Sequence, residues 1–234
     1  MLYLHGGGDS RLSRPADDGI AAALGIRLVA VDRCGPPVPG RTLVSFAREV
    51  EERADALALE RFAVLGWSAG GPHALAVAAV LRERVSRVVL AASMPPPDLL
   101  RLMPAPVRVA SRLGRISPRL TRARLEAWGR KPPPSIGDPL HDAAYAHGRA
   151  EGFRAGGMWL AQELAYLGRP WGFDLGGIRA PVRIWYGDRD RVTPPAIGHA
   201  FAERLPGATL DIVDDGHHIL FRRWRTLLEE ARGG

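Results

Sequence analysis

With 234 residues the chain has room for one sizeable α/β domain carrying an insertion, and too little for two enzymatic domains of usual size. Hydrophobic residues at 46% and charged residues at 24% exclude a disordered, collagen-like or coiled-coil chain. The formal net charge of +7 is concentrated in residues 95–135, where Arg101, Arg108, Arg112, Arg115, Arg119, Arg122, Arg124, Arg130 and Lys131 face only Asp98 and Glu126, and the remainder is balanced. A uniformly basic nucleic-acid binder is therefore not expected, whereas a local basic segment suits a solvated helix face or a substrate with an anionic group. Lys131 is the sole lysine, which favours the solvated face.

The single cysteine, Cys34, forms no internal disulfide, and no basic-plus-apolar leader or apolar run of spanning length is present. A cytoplasmic location without stable membrane insertion is the expectation.

In chain order, short apolar runs bounded by Gly, Pro or Asp fall at Leu2 to Leu4, Arg27 to Val31, Phe62 to Leu65, Val85 to Ala92, Val182 to Tyr186 and Ala208 to Val213. Such runs fit strands buried on both faces of a parallel sheet. After Thr42, a suitable N-cap, Leu43, Phe46, Ala47, Val50, Ala54 and Leu57 recur at helical spacing. Further helices are expected over about 71–81, 196–205 and 219–231. The strand and helix alternation stops at MPPPD and resumes at RAPVRIWYGD, and prolines punctuate several short helices between them. The reading is an α/β core of residues 1–94 and 171–234 with a helical cap of residues 95–170.

The sharpest chemical signal is GWSAG, residues 66–70, with a strand before it and a helix after it. A serine on so sharp a turn tolerates only very small residues two positions away, and Gly66 and Gly70 stand there. Ser68 needs a base and an orienting acid. YGDRDRVTPP offers Asp188 and Asp190 after one strand, and IVDDGHHIL offers His217 and His218 after the last. HGGGDS after the first strand permits close backbone donors to an oxyanion, with the amides of Gly7 and Ala69 as candidates. The absence of GK[ST] and GxGxxG speaks against nucleotide binding, and no His, Cys and Asp spacing suits zinc, so no cofactor and no metal are expected. Trp67 and Trp159 are candidate walls of an apolar substrate pocket, and Cys34 reads as a passive small side chain.

HGGG, DRCGPP, GWSAGG, GDRDRVTP and DGHH, in that order, resemble the α/β-hydrolase superfamily over essentially all the chain except the cap. The resemblance implies a mostly parallel, doubly wound sheet with the cap inserted after the strand ending near Ala92. It favours Asp190 over Asp188, through Gly187, Asp190 and Pro194, and His217 over His218. Relatives usually have two strands before the HG loop, so the chain is either a shortened hydrolase or starts further upstream. Arg27 to Val31 would then lie at an open sheet edge that invites homodimer formation. The expected activity is a serine hydrolase cleaving a small-molecule carboxylic ester through an acyl-enzyme, with Ser68, His217 and Asp190 as triad. Amide, proline-iminopeptidase-like, thioester or carbon–carbon hydrolysis on the same triad, and ligand binding without turnover, are the alternatives.

Overall fold

The computed structural model describes residues 1–233, apart from the side chains of residues 110, 114, 115, 118 and 120, so the Arg115 side chain lies outside the described residues. Six strands, β1 (Leu2–Leu4), β2 (Val29–Val31), β3 (Phe62–Trp67), β4 (Val85–Ala91), β5 (Val182–Gly187) and β6 (Thr209–Val213), form one sheet in the order β2-β1-β3-β4-β5-β6. Every neighbouring pair is parallel. All six expected strands are present. The second is shorter than its apolar run because β1, its one partner, offers only three residues of ladder.

Alternate side chains of the strands serve two different cores. Leu2, Leu4, Val64, Val88, Leu90, Ile184 and Tyr186 pack on one face with α2 (Leu43–Ala56), α3 (Gly70–Leu81) and α8 (Ala196–Arg204). Tyr3, Leu65, Trp67, Val89, Ala91 and Trp185 pack on the other with α1 (Asp18–Ala23), α9 (Ile219–Arg222) and α10 (Trp224–Arg232). Each large side chain so buried contributes about 1.5–3 kcal/mol. Helix α2 begins where expected, because the Thr42 hydroxyl accepts from Ser45 N–H while the Ser45 hydroxyl accepts from Thr42 N–H. Helix α1, capped by Asp17, had no strong apolar period to announce it. The single helix expected over about 219–231 is broken at Arg223 into α9 and α10.

Between β4 and β5 come α4 (Ala105–Ile116), α5 (Pro118–Gly129), α6 (Pro139–Gly152) and α7 (Met158–Leu167), with a 3-10 turn at Pro97–Leu102 ahead of them. Helices α4 and α5 pack on α7 and on each other. The described basic side chains here, Arg101, Arg108, Arg112, Arg119, Arg122, Arg124, Arg130 and Lys131, are all exposed. That exposure fits the solvated face, and Arg101, Arg108 and Arg112 line a surface cavity together with Asp98. Among the described residues no helix is long and apolar enough to cross a membrane.

The strand order fixes where chemistry can occur. The chain runs from β1 outward to β2 and returns to β3 on the other side of β1, so the strand direction of travel switches between β1 and β3. Loops leaving the carboxyl ends of two strands at such a switch diverge to opposite faces and leave a crevice. Leu4 pairs with Gly66, so His5–Asp9 and Ser68 leave the sheet side by side.

Candidate active site

Ser68 sits between β3 and α3 at φ 53°, a left-handed conformation costly for a residue with a side chain. The turn is closed by its own backbone: Ser68 N–H donates to Ala91 O at 2.9 Å, and Ser68 O accepts from Gly71 N–H and Met94 N–H, each at 3.0 Å. A Cβ at Gly66 would lie 2.6 Å from Gly70 O, and one at Gly70 would lie 2.1 Å from Leu4 O. The two glycines of the motif are therefore required by contact distance.

Three strand-end loops bring their side chains to one line. Ser68 Oγ lies 3.2 Å from His217 Nε2, and His217 Nδ1 lies 2.9 Å from Asp190 Oδ2. With Nδ1–H donating to the carboxylate, Nε2 is left as the acceptor facing the hydroxyl. Asp190 Oδ1 accepts the amides of Val192 at 2.7 Å and Thr193 at 2.9 Å. Burial pushes the Asp190 carboxyl up, yet the His217 hydrogen bond and charge, with the Thr193 contacts, outweigh it and hold the group below its ordinary range. Thr193, not singled out from the sequence, has its hydroxyl 2.8 Å from Asp190 Oδ2, 3.1 Å from His217 Nδ1 and 3.0 Å from Ala92 O. It fastens the acid loop to the end of β4.

The neighbouring acid and histidine have other tasks. Asp188 Oδ1 accepts from Asp215 N–H at 3.2 Å, which ties the β5 loop to the β6 loop. His218 turns its ring to Tyr145, 5.1 Å between centroids, and burial, with the charges of His217 and Arg222, pushes its pKa down to about 4.

Trp67 and Trp159, the two candidate pocket walls, are both buried. Trp67 is 1% exposed and donates its indole N–H to His217 O at 3.0 Å, so it holds the histidine loop from beneath. Trp159 is buried, donates to Gly152 O at 2.6 Å and stands edge-on to His5. Both rings are large enough to be core before they are contacts, and their N–H groups find partners when buried.

Gly7 lies opposite Ala69: a Cβ built on Gly7 would be 3.3 Å from the Ala69 Cβ. Ala69 precedes α3, whose first amides have no carbonyl within the helix. Gly7 and Ala69 thus face one another beside the Ser68 turn. The loop carrying Gly7 is surrounded by charged groups that the sequence did not single out. Arg33, fully buried, donates Nη1 to His5 O at 2.6 Å and Nη2 to Gly6 O at 3.3 Å, and its Nε donates to Glu163 Oε1 at 2.8 Å. Asp9, also buried, lies 3.8 Å from Arg149 Nε, and burial lifts its carboxyl to about 7 despite that guanidinium. Arg33 and Glu163 are separated by 130 positions, and no local spacing marks the pairing.

Among the described residues the tightest grouping of metal-ligating types is His5, Asp32 and Cys34, with ligand atoms within 4.8 Å of one another. Its donors are already committed. His5 Nε2 accepts from Arg33 N–H at 3.1 Å, and Asp32 accepts from the amide and guanidinium of Arg11 at 2.6 Å and 2.5 Å. Burial and the Asp32 charge push the Cys34 thiol up to about 12, which leaves it a poor ligand and nucleophile.

The chain matches the family described as the alpha/beta hydrolase family over residues 1–230. It is 29% identical over 204 residues to a Caulobacter sp. (strain K31) protein named "Putative carbamate hydrolase RutD", covering 82% of this chain and 74% of that protein. Among solved structures, the esterase EaEST from Exiguobacterium antarcticum aligns with a TM-score of 0.72 at 20% identity, over 97% of this chain and 88% of its own. The carboxylesterase CesB from Bacillus subtilis aligns with a TM-score of 0.65 at 21% identity, over 97% and 80%. At these identities the two structures speak for the fold alone.

Proposed function

The chain belongs to the alpha/beta hydrolase family, and from that premise we propose that it is a serine hydrolase acting on a small carboxylic ester through an acyl-enzyme. The observation that carries this reading is the continuous line from Ser68 Oγ through His217 to Asp190, at 3.2 Å and 2.9 Å, on a serine held at positive φ.

In this reading Ser68 attacks the acyl carbon as His217 Nε2 takes the hydroxyl proton, and Asp190 stabilises the imidazolium and fixes its tautomer. The carbonyl oxygen gains charge and is held by the amides of Gly7 and Ala69. Collapse of the tetrahedral adduct expels the alcohol with the proton returned by His217, and a water activated by the same imidazole releases the acid. Helices α4–α7 act as the cap over this reaction, with residues 95–170 as its extent. Cys34, protonated and half-buried, takes no part.

Carbamates enter as a second acyl class because the curated relative carries that activity in its name and the same attack serves both. The test is labelling with a fluorophosphonate probe, intact chain against Ser68→Ala, with the adduct located by mass spectrometry. Labelling confined to Ser68, followed by turnover of short-chain and aryl esters ahead of matched carbamates and amides, is the expected result. A folded chain that takes no label would overturn the triad and return the protein to ligand binding without turnover.

A further inference from the structure

An oxyanion hole is made of peptide N–H groups, and each N–H shares a resonant, planar unit with the carbonyl of the residue before it. What that carbonyl binds therefore decides where the N–H points. For Ala69 the partner carbonyl is Ser68 O, which accepts two backbone amides, from Gly71 and Met94. For Gly7 it is Gly6 O, which accepts from the Arg33 guanidinium at 3.3 Å and faces His5 Nδ1 at 2.8 Å.

Among the described residues the Gly7 side thus lacks the backbone partners that fix the Ala69 side, and a cation stands in their place. Arg33 also binds the carbonyl of His5, and its own backbone N–H binds the His5 ring, so three contacts from one residue wrap the start of the loop. A charged donor on a carbonyl polarises the whole peptide unit and strengthens its N–H as a donor. Arg33 is fully buried, and a buried cation needs a partner. That partner is Glu163, 1% exposed and carried by α7, on the helical segment between β4 and β5.

We propose that Arg33 is a positioning residue for the Gly7 amide and that Glu163 holds it there, so that α7 sets the geometry of the oxyanion hole. The same helix reaches the other donor. Tyr166 Oη lies 2.8 Å from His73 Nε2, and His73 Nδ1 lies 2.7 Å from Ala69 O, one peptide beyond the Ala69 amide. The free carboxylate oxygen of Glu163, Oε2, is buried without a hydrogen-bond partner and lies 3.7 Å from where a Gly7 Cβ would stand. The hole and the helix above it are therefore one packed unit. A displacement of α7 withdraws the charge that orients Gly7, which makes competence for turnover depend on the helical segment being seated.

The inference rests on Ser68 being the nucleophile, and the experiment separates the two. Arg33→Met, Arg33→Lys and Glu163→Gln are made in the full chain, active sites are counted by fluorophosphonate labelling taken to completion, and kcat and KM for p-nitrophenyl acetate are expressed per labelled site. Affinity for a trifluoromethyl ketone, which forms the tetrahedral adduct, is measured alongside. In Arg33→Met, kcat per site is expected to fall by about 10²–10³, the size of losing one oxyanion donor, with ketone affinity falling in parallel and KM little changed. Arg33→Lys, which keeps the charge but cannot span both carbonyls, recovers part of the loss, and Glu163→Gln loses about tenfold. Should Arg33→Met not fold, the isosteric Glu163→Gln carries the same test. A lowered Tm with unchanged kcat per labelled site in the folded variants would assign the pair to stability alone and overturn the inference. An unlabelled wild-type chain would instead bring down the triad reading beneath it.

Discussion

Around His217 main-chain hydrogen bonds tie the loops together, with Asp188, Thr193 and Trp67 added to them, whereas around Gly7 a buried side-chain pair does the holding. Asp188 N–H donates to Val213 O at 2.9 Å and Arg189 N–H to Asp215 O at 3.0 Å, and a Cβ on Gly187 would lie 2.4 Å from Asp215 O. The loops after β5 and β6 are so interlocked that His217 and Asp190 have little freedom to part. Among the described residues the loop after β1 has no such ladder, and it leans on Arg33, whose charge is balanced from α7. Backbone contacts survive most substitutions, whereas a buried ion pair fails when either partner is replaced. In the proposed reading the acid–base half is accordingly robust and the oxyanion half conditional.

The largest effect should come from the reacting atom itself. Ser68→Ala is expected to lower turnover by about 10⁶, read as kcat against p-nitrophenyl esters, and Asp190→Asn by about 10⁴ through loss of the correct tautomer. Both leave the fold in place, and a Ser68→Ala variant with residual turnover above background would break the scheme.

Stability should invert that ranking. Removing one partner of the buried pair, as in Arg33→Met, is expected to cost about 3–5 kcal/mol in urea unfolding. Asp188→Ala, which removes a single side-chain hydrogen bond to the backbone, should cost about 1 kcal/mol. Equal costs would mean that the two halves are held alike.

Asp9 sharpens the contrast through pH. Its carboxyl is lifted from 3.8 to about 7 by burial, so between those values the folded state binds the proton that the unfolded state has lost. Stability conferred by the protonated group is present at low pH and falls as pH rises through about 7. Asp9→Asn is expected to raise stability by roughly 2–4 kcal/mol at pH 8 and by little at pH 4. A gain independent of pH would refute the assignment. The smallest effect belongs to Trp67→Phe, which removes the donor to His217 O and should lower kcat by a few-fold with a cost of about 1 kcal/mol.

Much of this could be read from the chain before any coordinates. The strands announce themselves because both faces of a parallel sheet are covered, so Val64 and Leu65, which face opposite cores, are both apolar. GWSAG, GDRDRVTP and DGHH place Ser68, Asp190 and His217 at strand ends, and the parallel order brings those ends together. Arg33 and Glu163 stayed hidden for a different reason. Their partnership spans 130 positions and joins the loop after β2 to a helix of the insertion, so although Arg33 lies within DRCGPP nothing local pairs it with Glu163. The nine basic residues of 95–135 drew the eye instead, and the eight described are exposed. Trp67 packs in the second core next to Ser68, and its indole N–H bond to His217 O joins residues 150 positions apart, which no local pattern announces.

Cys34 has a practical meaning for anyone who wants to watch the helical segment move. It is the sole cysteine, half-buried, with its thiol beside Asp32 and pushed up to about 12, so the thiolate that maleimides attack is scarce near neutral pH. A cysteine introduced at an exposed position such as Ile116 on α4, 77% exposed, would outcompete it for reagent. A fluorophore could therefore be attached without first deleting the native residue, and the chain already supplies the blank background that such an experiment needs.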